Sequence, residues 1–276
     1  MSPVESDEED LTRKQRREQA REQRKALEQA EVASAVRRTR LTQLGVVVTV
    51  VVVAIVVILI ASGGSSSPKK INVGSSESNK TVAAVTSLLS GIPQSGDVLG
   101  SPAAPVTLQY FGDLECPVCK DFTLGAFPSI VQKWAATGKL KVEYRSLETA
   151  TREPEAFKLQ QVAALAAGKQ NKMWYFIELF YHEQGEENSG YVTESYLQNL
   201  AHQVPGLNLT QWASDRNEAA FTSQVAADAQ AANGAGFNGT PSFLIGKTGG
   251  QMRKFEYASL TDPTSFNEAI EKALKS

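Results

Sequence analysis

The sequence predicts an α/β domain with a block of helices inserted between its second and third strands, carried behind a single apolar span and a charged N-terminal tail. Three observations carry that expectation. Alternating segments at 105–112 and 140–147 read as strands, and two more follow at 241–246 and 252–257, separated by a Gly-Gly turn. Between the second and third strands, at about residues 152–235, the spacing is helical and is punctuated by glycine, asparagine and proline. Upstream, Leu44 to Ala61 is almost wholly Val, Ile, Leu and Ala, and no charged residue occurs from Leu41 to Pro68.

The chain of 276 residues has a net charge of only −2, but the charge is unevenly placed. Residues 1–10 hold five acids and no base, whereas residues 11–40 hold ten bases and four acids. About 18 apolar residues just suffice to cross a bilayer as a helix. A core element would be shorter or would show a polar side. A cleaved signal peptide ending at Ala61-Ser62-Gly63 would not carry so long a charged leader. Residues 44–61 are therefore expected to form an uncleaved transmembrane helix. Arg37, Arg38, Arg40 and the bases before them outnumber Lys69, Lys70 and Lys80, which puts residues 1–43 in the cytoplasm and the larger C-terminal part outside. Arg13, Arg17, Arg21 and Lys25 recur every four residues; a helical tail would turn them toward anionic lipid, a disordered one would leave them solvated.

Residues 62–80, rich in Ser, Gly, Asn and Lys, read as a flexible tether, and a short helix over Thr81 to Leu89 completes a linker reaching residue 90. Beyond residue 80 there are 15 bases and 20 acids, so the basic surface that nucleic acid requires is lacking.

The first strand, with Val106, Leu108 and Tyr110 alternating, leads directly into a helix from Pro117. Phe122, Leu124, Phe127, Ile130, Val131 and Trp134 continue its apolar face, Pro128 should kink or divide it, and Gly138 closes it. Helices are then expected over Pro154 to Ala167, Lys172 to Tyr181, Ser195 to Val204 and Leu209 to Ala232, with a last one from Pro263. Trp134, Trp174 and Trp212 fall on apolar faces and read as core anchors. The acidic stretch His182 to Asn188 matches no calcium or zinc spacing and reads as a solvated loop. Gly246-Lys247-Thr248 is no phosphate loop, because Pro241 stands where the earlier glycine is required.

The only two cysteines, Cys116 and Cys119, sit at the start of the first long helix. One turn apart on one face, their sulfurs can meet in a reversible disulfide. The unpaired N–H groups of a helix N-terminus favour a thiolate, which makes Cys116 the attacking sulfur. Pro117 suits the first helical position because it has no N–H to leave unsatisfied. Zinc would need three or four ligands, and the chain adds only His182 and His202, both far downstream, so no metal site is expected. At this level a static disulfide, two inert buried thiols and a copper(I) site made of the two thiolates stay open.

The run Phe111-Gly112-Asp113-Leu114-Glu115-Cys116-Pro117-Val118-Cys119 resembles the strand-to-active-site signature of the DsbA-like branch of thioredoxin-fold oxidoreductases. Asn238-Gly239-Thr240-Pro241-Ser242-Phe243 is similar to the branch's second signature, a Gly-Thr-Pro turn opening a strand. The resemblance spans roughly residues 91–276 and includes the helical insertion. It implies a thioredoxin-like fold, catalytic Cys116 and Cys119, and a substrate-binding surface of Pro117, Val118, Thr240 and a cis Pro241. It further implies a membrane-anchored thiol:disulfide oxidoreductase without bound cofactor, acting on exported thiol-containing polypeptides as a disulfide donor. A quinone-linked membrane reoxidase of the DsbB or VKOR type would be its partner. Two residues depart from the pattern. Val118 stands where the strongest oxidants carry a histidine, and Tyr110 stands where many relatives carry a buried acid, six residues before the first cysteine. A reductase or cofactor-maturation role therefore stands beside the donor role.

Overall fold

The alternation read in the sequence becomes a six-stranded sheet in the computed structural model, which describes residues 71–276. The charged tail, the expected transmembrane helix and the tether up to residue 70 lie outside the described residues. Among the described residues no helix is long and apolar enough to cross a membrane.

The chain enters through helix α1 (Ser76–Leu89) and a small hairpin of β1 (Gln94–Ser95) and β2 (Val98–Leu99). Strand β3 (Val106–Gly112) follows, then α2 (Pro117–Leu124), α3 (Phe127–Ile130) with a π-helical continuation over Val131–Ala135, and β4 (Leu140–Ser146). The inserted block comprises α4 (Pro154–Gly168), α5 (Met173–His182), α6 (Glu194–Gln203), α7 (Leu209–Asp215) and α8 (Ala219–Gly234). Strands β5 (Ser242–Lys247) and β6 (Arg253–Phe255) and helix α9 (Thr264–Lys275) complete the domain.

Across the sheet the order is β1-β2-β4-β3-β5-β6, with β3 and β4 parallel and every other neighbouring pair antiparallel. Tyr110 of β3 lies opposite Tyr144 of β4 and Phe243 of β5. All but one residue of β3 is buried, as expected of a central strand covered on both faces. Around Tyr110 the rings of Phe122, Tyr144 and Phe243 pack at 5.1, 5.4 and 5.5 Å. All three tryptophans are buried, as expected. The Trp174 and Trp212 N–H groups donate to the carbonyls of Asp97 and Ala163. Asp228 of α8 accepts from Ser146 N at 3.0 Å and from Arg145 at 3.2 Å, which fastens the insertion to β4.

Three boundaries differ from expectation. Helix α1 starts five residues before Thr81, inside the segment read as tether, because the Ser75 side chain caps it by accepting from Ser78 N. Its Val85 and Leu89 are buried and its Ser78 hydroxyl donates to Gln203 of α6, so this end of the linker is docked. The cysteine helix is divided at Gly125, not at Pro128. A Cβ on Gly125 would meet Asp121 O at 2.5 Å and Thr261 Cα at 2.8 Å, and Ala126 N turns away to Leu260 O. Pro128 instead occupies the first turn of α3, where its missing N–H costs nothing. The helix expected over 209–232 is two helices: Glu218 N bonds to Asp215 O, and Lys169 draws both carboxylates to the corner.

Candidate active site

Strand β3 runs out at Gly112 and delivers the cysteines at the start of α2. Cys116 is the N-cap residue, with φ −69° and ψ 118°, and its carbonyl accepts from Lys120 N. Pro117 takes the first helical position, as its locked φ allows. Cys119, one turn on, is fully buried, whereas Cys116 keeps 5% of its surface and lies beside exposed Pro117 and Val118. Both cysteines are free thiols.

The loop into β5 brings the second group. The Thr240–Pro241 peptide is cis, and the Cys116 thiol donates to Thr240 O at 3.5 Å. Pro241 is buried and Thr240 is half-buried, its hydroxyl bonded to that of Thr149 in the loop after β4. The structure thus gathers Cys116, Pro117, Val118, Cys119, Thr240 and Pro241 at one end of β3. Neither histidine joins them: His182 ends α5 with its pKa lowered by burial and by Lys120, and His202 lies on α6. Among the described residues no group of three or more His, Cys, Asp or Glu is placed to hold a metal ion.

Sequence reasoning missed the frame that holds this loop. Asp113 is fully buried and its carboxylate accepts five hydrogen bonds, from Glu115 N, Thr149 N, Ala150 N, Thr151 N and the Thr151 hydroxyl, at 2.7 to 3.1 Å. One side chain therefore ties the cysteine loop to the loop after β4. The segment read as a solvated acidic loop supplies a second brace. Gln184 is buried and donates from one nitrogen to Leu114 O at 2.8 Å and to Cys116 O at 3.1 Å. Asn188 donates to Glu115 and to Ala150 O, while burial raises the Glu115 pKa. From α5 itself, the Tyr181 hydroxyl donates to Asp113 O at 3.2 Å and contacts the Tyr110 hydroxyl at 3.0 Å.

The two thiols are driven apart electrostatically. Cys116 falls from 9.0 to about 6, chiefly because the Cys119 thiol hydrogen-bonds to it, helped by Thr240 and by the N–H groups of Cys119 and Val118, against burial. Cys119 goes well above its ordinary value because it is buried, hydrogen-bonded to Cys116 and faced by that residue's charge. A nucleophile and a protonated partner stand side by side at neutral pH, an arrangement suited to opening and closing a disulfide.

A family model described as Thioredoxin matches residues 94–271, and the chain belongs to that family. Within it, the relatives point to a DsbA-like thiol:disulfide oxidoreductase, and that is the enzyme class of this chain. Disulfide bond formation protein D of Bacillus subtilis (strain 168) is 26% identical over 180 residues, 64% of this chain and 77% of the relative. The probable disulfide bond formation protein D of Bacillus anthracis is 24% identical over 180 residues, covering 64% and 77%. The crystal structure of oxidised BdbD from Bacillus subtilis superposes with a TM-score of 0.55 at 26% identity, covering 68% of this chain and 98% of that one.

Proposed function

We propose that this chain is a membrane-anchored enzyme of the extracytoplasmic face that donates disulfides to exported polypeptides through Cys116-Pro117-Val118-Cys119. The observation that carries the reading is the split between the two thiols. In the oxidised enzyme a substrate thiolate attacks Cys116 Sγ, the Cys116–Cys119 bond breaks, and its electron pair stays on Cys119. The second substrate thiolate then attacks the substrate sulfur of the mixed disulfide and expels Cys116 as a thiolate. The substrate is oxidised by two electrons, one proton ends on Cys119, and the other is released to solvent above about pH 6.

A thiolate-stabilised Cys116 makes the reduced enzyme the better product. At pH 7, titration at about 6 in place of 9.0 favours the reduced form by about 1.4 kcal/mol, or roughly 30 mV toward an oxidant. Beside Cys116, the half-buried Thr240 offers backbone past which an extended substrate segment can run. The apolar run at 44–61 and the basic excess before it support an N-terminus in the cytoplasm and a domain on the oxidising side. Exported thiol polypeptides and a quinone-linked reoxidase of the DsbB or VKOR type complete the cycle, as the family implies.

One observation favours a second reading, a reductase or cofactor-maturation factor. Val118 is 43% exposed and its side chain has no donor for the thiolate. Equilibration of the full-length chain with glutathione decides between them. A potential well above thioredoxin's, about −270 mV, supports the donor, and a value at or below it overturns the donor reading. Trapping with Cys119→Ala should yield mixed disulfides on Cys116; copper(I) bound at one equivalent without any such adduct would make the pair a metal carrier.

A further inference from the structure

Strand β6 is an edge of the sheet. It pairs with β5 on one side, Phe255 opposite Phe243 and Arg253 opposite Ile245, and among the described residues no strand pairs with its other side. A free row of backbone N–H and C=O groups is therefore open to an extended polypeptide. Phe255 packs on Phe266 of α9 at 4.9 Å, and Tyr257, two residues on, stacks on the same ring at 6.2 Å. Burial raises the Tyr257 pKa and the charges of Cys119 and Cys116 raise it further, so this end of the edge lies beside the cysteines.

At the other end of β6 a cavity of about 400 Å³ opens between β5, β6 and α9. Past the buried Phe266 and Ile270, α9 contributes only Ala269 and Ala273 to its wall, side chains too small to fill the space over Ile245 and Phe255. The floor is apolar and the rim is basic. Lys247 of β5, Arg253 of β6 and Lys272 of α9 line it, no Asp or Glu does, and none of these three bases has an ion-pair partner among the described residues. Lys254 is committed elsewhere, donating to Gly236 O and lying over the Phe237 ring. Bases on an edge strand guard against unwanted pairing, and a lysine in the last turn of a helix offsets its dipole. Neither duty accounts for an unfilled apolar floor beneath three bases drawn from three elements. Like charges around one cavity repel one another until an anion enters.

We propose that this cavity is a substrate subsite: it binds an acidic side chain of a polypeptide segment laid along the β6 edge while that segment's cysteine reaches Cys116. A strand advances about 3.4 Å per residue, which sets Ile245 and Lys247 roughly 13 and 20 Å beyond Pro241. In an extended substrate the acidic residue therefore lies about four to six positions from the reacting cysteine. Lys247, Arg253 and Lys272 set specificity without touching the reacting sulfurs. The free edge and the apolar floor favour a polypeptide over a lipid headgroup or a free anion, which would leave the edge unused. This inference rests on the exchange reading above and names a feature of its substrates.

The test uses synthetic peptides with one cysteine and one glutamate. The glutamate stands five residues from the cysteine, on either side in turn, or is moved to ten, which keeps the net charge and the cysteine's neighbours unchanged. The rate at which each peptide reduces the oxidised full-length chain in detergent is compared with that of 2-mercaptoethanol, a thiol too small to reach the cavity. One five-residue peptide should react about fivefold faster than its isomer at low salt, the upper end for an exposed ion pair, and the advantage should largely vanish in about 1 M salt. Joint replacement by Lys247→Gln, Arg253→Gln and Lys272→Gln should erase the advantage, and Ala273→Leu, which fills the floor, should reduce it. Both variants should keep the wild-type rate with 2-mercaptoethanol. Equal rates for the isomers in the wild type, or an advantage that survives the triple replacement, overturns the proposal. So does a rate raised by phosphatidylglycerol in nanodiscs through the same three bases without any glutamate preference, which would make the cavity a lipid site. A wild-type chain that reacts with neither the peptides nor 2-mercaptoethanol would instead sink the exchange reading itself.

Discussion

Replacing Cys119 by alanine removes the group that does most to acidify Cys116. The Cys119 hydrogen bond is the first cause of the fall from 9.0 to about 6, while Thr240 and the N–H groups at positions 118 and 119 survive the substitution. A hydrogen bond to an ionised acceptor contributes about 1.5–3 kcal/mol. At 1.36 kcal/mol per pKa unit its loss equals about one to two units, so Cys116 should titrate at about 7–8 in the variant. The thiolate fraction at neutral pH then drops from about nine-tenths to between about one-tenth and one-half. Ultraviolet absorption of the thiolate and the rate of iodoacetamide alkylation, each followed against pH, measure this directly. A midpoint still near 6 would refute the reasoning and assign the acidity to the helix start and Thr240 alone. Substrate trapping with this variant should accordingly improve as the pH is raised past neutrality.

Three further outcomes follow from buried polar groups. Asp113→Asn turns an amide N–H₂ toward donors that need acceptors, and should cost roughly 3–5 kcal/mol, read as a fall in melting temperature of about 6–20 °C; a fall under about 2 °C would mean that the five bonds do not hold the loop. Glu178 on α5 is fully buried, neither carboxyl oxygen has a hydrogen-bond partner among the described residues, and burial drives its pKa well above 4.5. A raised acid contributes its stability in full below its unfolded value and loses it as pH climbs toward the folded one, so stability should decline above about pH 4.5. Glu178→Gln should flatten that decline in thermal melts across the pH range; an unchanged slope would assign it to other groups. Gln184→Ala leaves the buried Leu114 carbonyl without this donor, at about 1–3 kcal/mol, while the Cys116 carbonyl keeps Lys120 N. Hydrogen exchange at residues 113–116 should quicken markedly, and unchanged protection would show that the brace is dispensable.

The parts of this molecule that were legible in the sequence are those whose signal is local. Strands β3 and β4 declare themselves by alternation and by the apolar residues that a central strand buries. The cysteine pair declares itself because three residues of spacing and a proline already define a helix start. Where the deciding contact is distant, the reading fell short. Helix α1 begins in a run of polar residues, and nothing nearby reveals that Ser78 will meet Gln203. The break between α7 and α8 contains neither glycine nor proline, and its anchor, Lys169, comes from the end of α4.

The same limit explains why His182 to Asn188 read as a solvated loop. Glutamine in an acidic stretch reads as solvated, yet Gln184 closes on two carbonyls of the cysteine loop. Tyr110 looked like the simple loss of an acid, but its hydroxyl meets that of Tyr181, 71 positions away. Every brace on the cysteine loop described here, apart from the Asp113 carboxylate and Thr240, reaches it from residues 181–188. The redox pair is therefore carried at the start of α2 while its loop is braced from the helical block. A change in the packing of α5 should alter the chemistry of Cys116 and Cys119 even where it leaves the sheet untouched.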